Sequence, residues 1–114
     1  RFTVFTGAGL HALAAFQSEC YRQVTMANGT FQQDRFDALR TKPLQSSHII
    51  AIGMKRDPKK SVPAWEELGA VFCAIQNMML TAAAYGVGSY LSTGGITSFA
   101  EAKPFFDLGE EDQL

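Results

Sequence analysis

Cysteine is scarce in this chain. Two residues in 114, Cys20 and Cys73, are too few for a disulfide framework. Both lie inside apolar helical patterns, where a buried, inert thiol is the expected state, and a reducing, cytoplasmic setting follows from that. An excess of charge is also missing: ten basic against eleven acidic side chains give a net charge of -1. That leaves no electrostatic footprint for nucleic acid and no polybasic patch for a membrane. Mean hydropathy is -0.02, and no uninterrupted apolar run reaches the ~20 residues of a bilayer span, so no membrane helix is expected. Charged residues amount to only 18%, low enough to expect some surface to face a partner, while 46% hydrophobic residues exclude a disordered chain.

Signatures of side-chain catalysis are absent as well. There is no G-x-S-x-G, no Walker sequence and no pair of carboxylates at catalytic spacing. His11 and His48 stand far apart, with no carboxylate or cysteine at ligand spacing, so no metal centre is expected. His48 opens an apolar segment as a structural residue, and Cys73, between Phe72 and Ala74-Ile75, fits an inert core thiol better than a nucleophile. A chain of this length is one domain at most, and no repeat, low-complexity tract or linker divides it. No signal peptide is visible. The chain opens on Arg1 and stops at Leu114 after the acidic Glu110-Glu111-Asp112 run, which reads as a loop. The expectation is one domain over 1–114 that lacks the N- and C-terminal segments of a longer polypeptide.

What is present is a series of elements. Phe2-Thr3-Val4-Phe5 is β-branched and aromatic and ends at Gly7, which predicts a strand. Leu10, Leu13, Ala14, Phe16 and Tyr21 recur at helical spacing, which predicts a helix over 10–24 followed by a turn at Asn28-Gly29. A looser helix carrying Phe31, Phe36 and Leu39 must end near Lys42, because Pro43 follows. The unalternating run His48-Ile49-Ile50-Ala51-Ile52 predicts a strand buried on both faces. The charged stretch 55–60 is expected to be a solvated connection.

Pro63 then opens a helix whose first turn carries Glu66 and Glu67, suited to the positive end of the helix dipole. From Leu68 to Tyr85 its strongly polar side chains are only Gln76, Asn77 and Thr81, so it is apolar nearly all round. A domain this small can hardly wrap a ~30 Å rod by itself. Missing terminal segments, a second subunit, or both must cover it, and a homodimer is the expectation. A last helix is predicted from Ser98, with Glu101 completing a capping box, towards Phe106, shortened or kinked by Pro104.

Two glycine clusters invite a ligand. Gly7-Ala8-Gly9-Leu10-His11-Ala12 follows a strand and opens a helix, matching the dinucleotide fingerprint G-x-G-x-x-[GA]. The fingerprint also needs a second parallel strand ending in an acidic residue about twenty positions on. That stretch is Met26-Ala27-Asn28-Gly29-Thr30, a turn without a carboxylate, so a tight strand-to-helix turn is the better reading of 7–12. The second cluster, Gly86 to Gly95, follows a helix, and Gly86 alone would be its left-handed cap. Beyond it Ser89, Ser92, Thr93, Gly94 and Gly95 crowd together, small enough for a planar ligand to lie against exposed main-chain amides.

Several loose motifs together resemble one family. The strand at Arg1-Phe2-Thr3-Val4-Phe5, the helix opening Val62-Pro63-Ala64-Trp65-Glu66, the stretch Ala74-Ile75-Gln76-Asn77-Met78-Met79-Leu80 running into Ala84-Tyr85-Gly86-Val87-Gly88-Ser89, and Leu91-Ser92-Thr93-Gly94 with Ile96-Thr97 are similar to the nitroreductase family of flavoproteins, most of all its small single-domain branch. The resemblance implies an α+β fold with a central mixed or antiparallel sheet flanked by helices. It implies two chains interlocked as a homodimer, with FMN at the interface. The activity it implies is ping-pong hydride transfer from NAD(P)H through FMN to a small-molecule acceptor of nitroaromatic or quinone type. By position, Leu91, Ser92, Thr93 and Gly94 would line one edge of the flavin ring, with the amides around Thr93 and Gly94 donating to it. Thr81, Ala82, Ala83, Ala84, Tyr85 and Gly86 would border the nicotinamide. The family's N-terminal Arg-x-Ser phosphate motif and its C-terminal strand do not occur in these 114 residues. A protein that keeps this fold yet binds flavin weakly or not at all is the alternative.

Overall fold

The computed structural model describes residues 1–114. Phe2–Thr6 forms strand β1, and Gly7, at φ +48°, turns the chain directly into helix α1, Ala8–Ala27. Leu10, Leu13, Ala14, Tyr21 and Thr25 make one buried face of α1 at helical spacing. After the Asn28-Gly29 turn comes α2, Gln33–Thr41, with Asp34 in its first turn and Arg40 in its last, each on the side the helix dipole favours. Pro43 tightens the continuation into a 3-10 turn over Lys42–Gln45.

Strand β2, His48–Ile52, runs antiparallel to β1, pairing Phe2 with Ile52 and Thr6 with His48. An antiparallel partner for the strand before Gly7 removes the parallel unit that a dinucleotide fold requires. The fingerprint-like run at 7–12 is a strand-to-helix turn. Burial of β2 on both faces is corrected: Phe5, Ile49 and Ala51 pack on the core, whereas Phe2, Val4 and Ile50 lie exposed on the other face. Within this chain the sheet has two strands, extended by a single bridge between Met54 and Gln113.

Helix α3, Ala64–Ala84, starts just after Pro63. It ends in a Schellman motif: the Gly86 N–H donates to the Ala83 carbonyl at 3.0 Å, and the Val87 N–H to the Ala82 carbonyl at 2.9 Å, with Gly86 at φ +72°. The expected α-helix at 98–106 is instead two 3-10 segments, Gly95–Ser98 and Ala100–Phe106. Pro104 supplies no N–H, and its ring would collide with the Ala100 carbonyl in an α-helix. Ser98 caps nothing, and the predicted box with Glu101 does not form.

The core lies between α1 and the 96–108 segment, where Leu13, Cys20 and Tyr21 meet Ile96, Ala102, Phe106 and Leu108. Phe105 stacks on Phe16 with ring centroids 3.8 Å apart, and Phe106 meets Phe5 edge-on. Cys20 is the buried thiol expected of it, and burial, followed by the nearby Glu101 charge, pushes its pKa up. Cys73 is exposed, against expectation. It sits on a face of α3 that nothing in this chain covers: only Ile75 of the 21 residues of α3 is buried.

That exposure has a physical reading. At mean hydropathy 1.3 over its best window, α3 meets the length and composition of a bilayer span, although no uninterrupted apolar run exists. Core helices of water-soluble proteins pass the same test. Gln76 and Asn77 fall near mid-helix, where hydrocarbon would leave their amides unpaired at several kcal/mol each. A protein surface suits them better.

Candidate functional site

One face of α3 carries Leu68, Val71, Ile75, Met78 and Ala82, spaced three and four residues apart. That stripe forms one wall of a cleft of about 1340 Å³. The segment 87–99, α2, the 3-10 turn after it, β2 and part of α1 supply the rest of the lining. All four residues assigned to a flavin edge, Leu91, Ser92, Thr93 and Gly94, line this cleft. Of the six assigned to a nicotinamide site only Ala82 does. Thr81, Ala83, Ala84 and Gly86 are exposed away from it, and Tyr85 is 83% exposed. Thr81 is occupied locally, its hydroxyl donating to the Asn77 carbonyl at 2.8 Å.

The loop leaves its hydrogen-bond donors without partners in the chain. From Gly88 through Gly94 no main-chain N–H donates to any acceptor in the protein. The hydroxyls of Ser89, Ser92 and Thr93 are likewise uncommitted. The carbonyls of Thr93 and Gly94 accept from the Thr97 hydroxyl, at 2.7 and 3.3 Å, which holds the end of the loop in shape while leaving its amides free. Residues 87–95 are all exposed, so these donors face solvent and are open to a ligand. The row of donors runs along the lining of the cleft.

The loop 55–60 is less solvated than its composition suggests. Arg56 and Glu67 are 14% and 13% exposed at the side chain and form an ion pair at 2.6 Å. Glu67 also accepts the Asp57 N–H at 2.9 Å, and Arg56 donates to the Val62 carbonyl at 2.9 Å. These bonds pin the first turn of α3 and so set where its apolar stripe stands over the cleft. Sequence reasoning missed this role, because Glu67 serves equally well as a dipole-complementing acid in a first turn. His48 lies exposed at the head of β2 with Nδ1 3.0 Å from the Ser47 hydroxyl, and His11 is exposed on α1. No His, Cys, Asp and Glu side chains gather into a metal-binding group.

Comparison with known proteins agrees with the motifs. The profile of the nitroreductase family matches residues 1–113. Two curated proteins, from Escherichia coli strain K12 and from Escherichia coli O157:H7, each bear the name "Putative NAD(P)H nitroreductase YdjA" and are each 26% identical over 113 residues. Those alignments take in 99% of this chain and 59% of each relative, so the chain spans somewhat over half the length of the relatives it matches. With an α+β architecture, a matching profile over nearly every residue and a small-residue loop lining the cleft, this chain belongs to the nitroreductase family.

Proposed function

We propose that this chain is the flavin-cradling part of an FMN-dependent oxidoreductase. It would take electrons from NAD(P)H and deliver them to nitroaromatic or quinone-type acceptors. The supporting observation is the run of uncommitted amides from Gly88 through Gly94 along the cleft. The cleft exceeds the ~300–1,000 Å³ of ordinary small-molecule sites, so a tricyclic ring with its side chain fits the space and the donors suit its heteroatoms. A flavin held by these residues would supply the hydride chemistry between NAD(P)H and the acceptor.

The protein's share is position and electrostatics. The amides of Thr93 and Gly94 donate to the polar edge of the ring, where negative charge accumulates on reduction, and favour that state without a formal positive charge. Leu91 and the stripe Ile75, Met78 and Ala82 keep water from the apolar part of the ring. Methionine suits a wall that must accept different flat molecules in turn. Ala82 alone of the 81–86 stretch lines the cleft, which supports it as the residue that meets a nicotinamide.

The exposed faces of α3 are proposed to be covered by a second copy of the chain. Its accessible surface is 7561 Å², against roughly 6,100 Å² for a compact monomer of this mass, and the excess is of the size that stable dimers bury per subunit.

Flavin affinity of two variants tests the amide assignment. Thr93→Pro removes one donor and is expected to weaken FMN binding roughly tenfold. Thr93→Ala keeps the amide and is expected to bind within about twofold of wild type, a difference of a few tenths of a kcal/mol. Equal behaviour of the two variants would show that the Thr93 amide does not hold the ring.

A further inference from the structure

Asn28 and Asn77 are the two asparagines of this chain, and their surroundings differ. Asn77 sits mid-helix in α3, ahead of Met78, where the helical ladder holds the backbone. Asn28 stands exposed at the end of α1, ahead of Gly29. Gly29 lies at φ +69°, and a Cβ added to it would meet nothing within 4 Å, so the approach to its nitrogen is open. Its N–H bond to the Met26 carbonyl is long at 3.3 Å, and helix ends fray. An unhindered glycine nitrogen beside an exposed carboxamide is a reactive pair.

We propose that Asn28 is a deamidation site whose conversion loosens one corner of the cleft. Fraying frees the Gly29 nitrogen, which gives up its proton to solvent base and bonds to Asn28 Cγ. Nδ2 leaves as ammonia, taking a proton back from water. A second water then opens the five-membered imide at either carbonyl. One opening gives aspartate, and the other gives isoaspartate, with the main chain routed through the former side chain. No electrons are exchanged, and water is the sole co-reactant.

The consequence for the cleft follows from what the turn holds. α1 has no basic side chain in its last turn, so a carboxylate at position 28 faces the negative end of the helix dipole uncompensated. The Thr30 N–H closes that turn on the Thr25 carbonyl at 2.8 Å. Two residues on, the Gln32 N–H donates to the Tyr21 hydroxyl at 3.2 Å. Tyr21, Thr25, Thr30 and Gln32 all line the cleft. An isoaspartate adds a backbone carbon between Thr25 and Thr30 and breaks their spacing as well. The effect is independent of which ligand the cleft takes.

Peptide mapping of the whole protein, held folded in alkaline buffer, tests the site against a free peptide of residues 24–33. Asn28 is expected to convert, with isoaspartate among the products, while Asn77 stays an amide. Asn28→Gln, whose longer side chain closes the ring poorly, is expected to remain unconverted. An Asn28 that survives through the time in which the peptide converts fully overturns the proposal. Conversion to aspartate without isoaspartate does the same, because direct hydrolysis needs no Gly29. Hydrogen exchange of the Asn28→Asp protein reads the effect on the cleft. The amides of Thr30 and Gln32 are expected to exchange roughly two- to fivefold faster than in wild type, with Ala51 in β2 unchanged. Unaltered exchange at Thr30 and Gln32 would refute the link to the cleft.

Discussion

Asp112 caps two segments at once. Its Oδ1 accepts the Arg56 N–H at 2.8 Å and its Oδ2 the Gly109 N–H at 2.7 Å, joining the end of the chain to the strand exit after β2. Burial pushes this carboxyl up, but the two amides, with Lys55 and Lys103 nearby, outweigh it and hold the pKa below the ordinary aspartate value. A pKa lower folded than unfolded gives stability that is complete above about pH 4 and is lost as pH falls through the folded-state value. Asp112→Asn turns one acceptor into a donor facing an N–H, and is expected to cost about 1–3 kcal/mol at neutral pH. The gap from wild type should close on acidification, as urea midpoints at neutral and low pH would record. A constant gap would mean that the charge of Asp112 is irrelevant. Gly53 is the other single-residue lock. A Cβ there would meet Leu108 Cδ1 at 2.8 Å and the Gln113 carbonyl oxygen at 3.1 Å, so Gly53→Ala is expected to destabilise by about 1–3 kcal/mol in thermal melts. Neither role was legible in the sequence. Asp112 follows two glutamates in what composition makes a solvated loop, and Gly53 ends a strand where glycine is unremarkable; only long-range packing gives each its task.

Elements were far more legible, because hydrophobic period is a local property. The strand at 2–5, the helix over 10–24, the turn at Asn28-Gly29 and the left-handed Gly86 are all present, with α1 extending two residues at its start and three at its end. The reading failed where a proline competed with a capping signal at 98–106, and where an apolar run could not reveal how many of its faces this chain covers, at β2 and at Cys73 on α3. Position of α3, unlike its extent, depends on the Arg56–Glu67 pair. Glu67→Ala leaves Arg56 mostly buried without its carboxylate and is expected to cost about 3 kcal/mol. Hydrogen exchange should speed most at the start of α3 and in the 55–62 loop. Uniform acceleration across α1 and α3 would show that the pair supports the fold as a whole instead of anchoring one helix.

At the scale of the molecule the chain is under-filled. Only 16 of 114 residues are buried, and the radius of gyration is 15.2 Å, against roughly 13 Å for a compact domain of this length. Low charge with a helix apolar all round made such a deficit visible from composition, without saying what fills it. On α3, Phe72 is 46% and Leu80 59% exposed, so Phe72→Glu and Leu80→Glu disturb little inside one chain. In the whole protein they are expected to shift light-scattering mass from dimer to monomer. A dimer unaffected by both would place the interface elsewhere and leave α3 to other parts of the same polypeptide. The proposals for the cleft, the free amides and the exposed α3 meet in one claim, that the segment beyond α3 holds a redox-active flavin. The visible absorption spectrum of the purified whole protein, taken before and after NADPH or NADH is added, tests it most directly. The account predicts a flavin band that bleaches on addition of the nicotinamide and returns with a quinone acceptor. Protein that stays colourless after incubation with FMN and removal of the excess would contradict it.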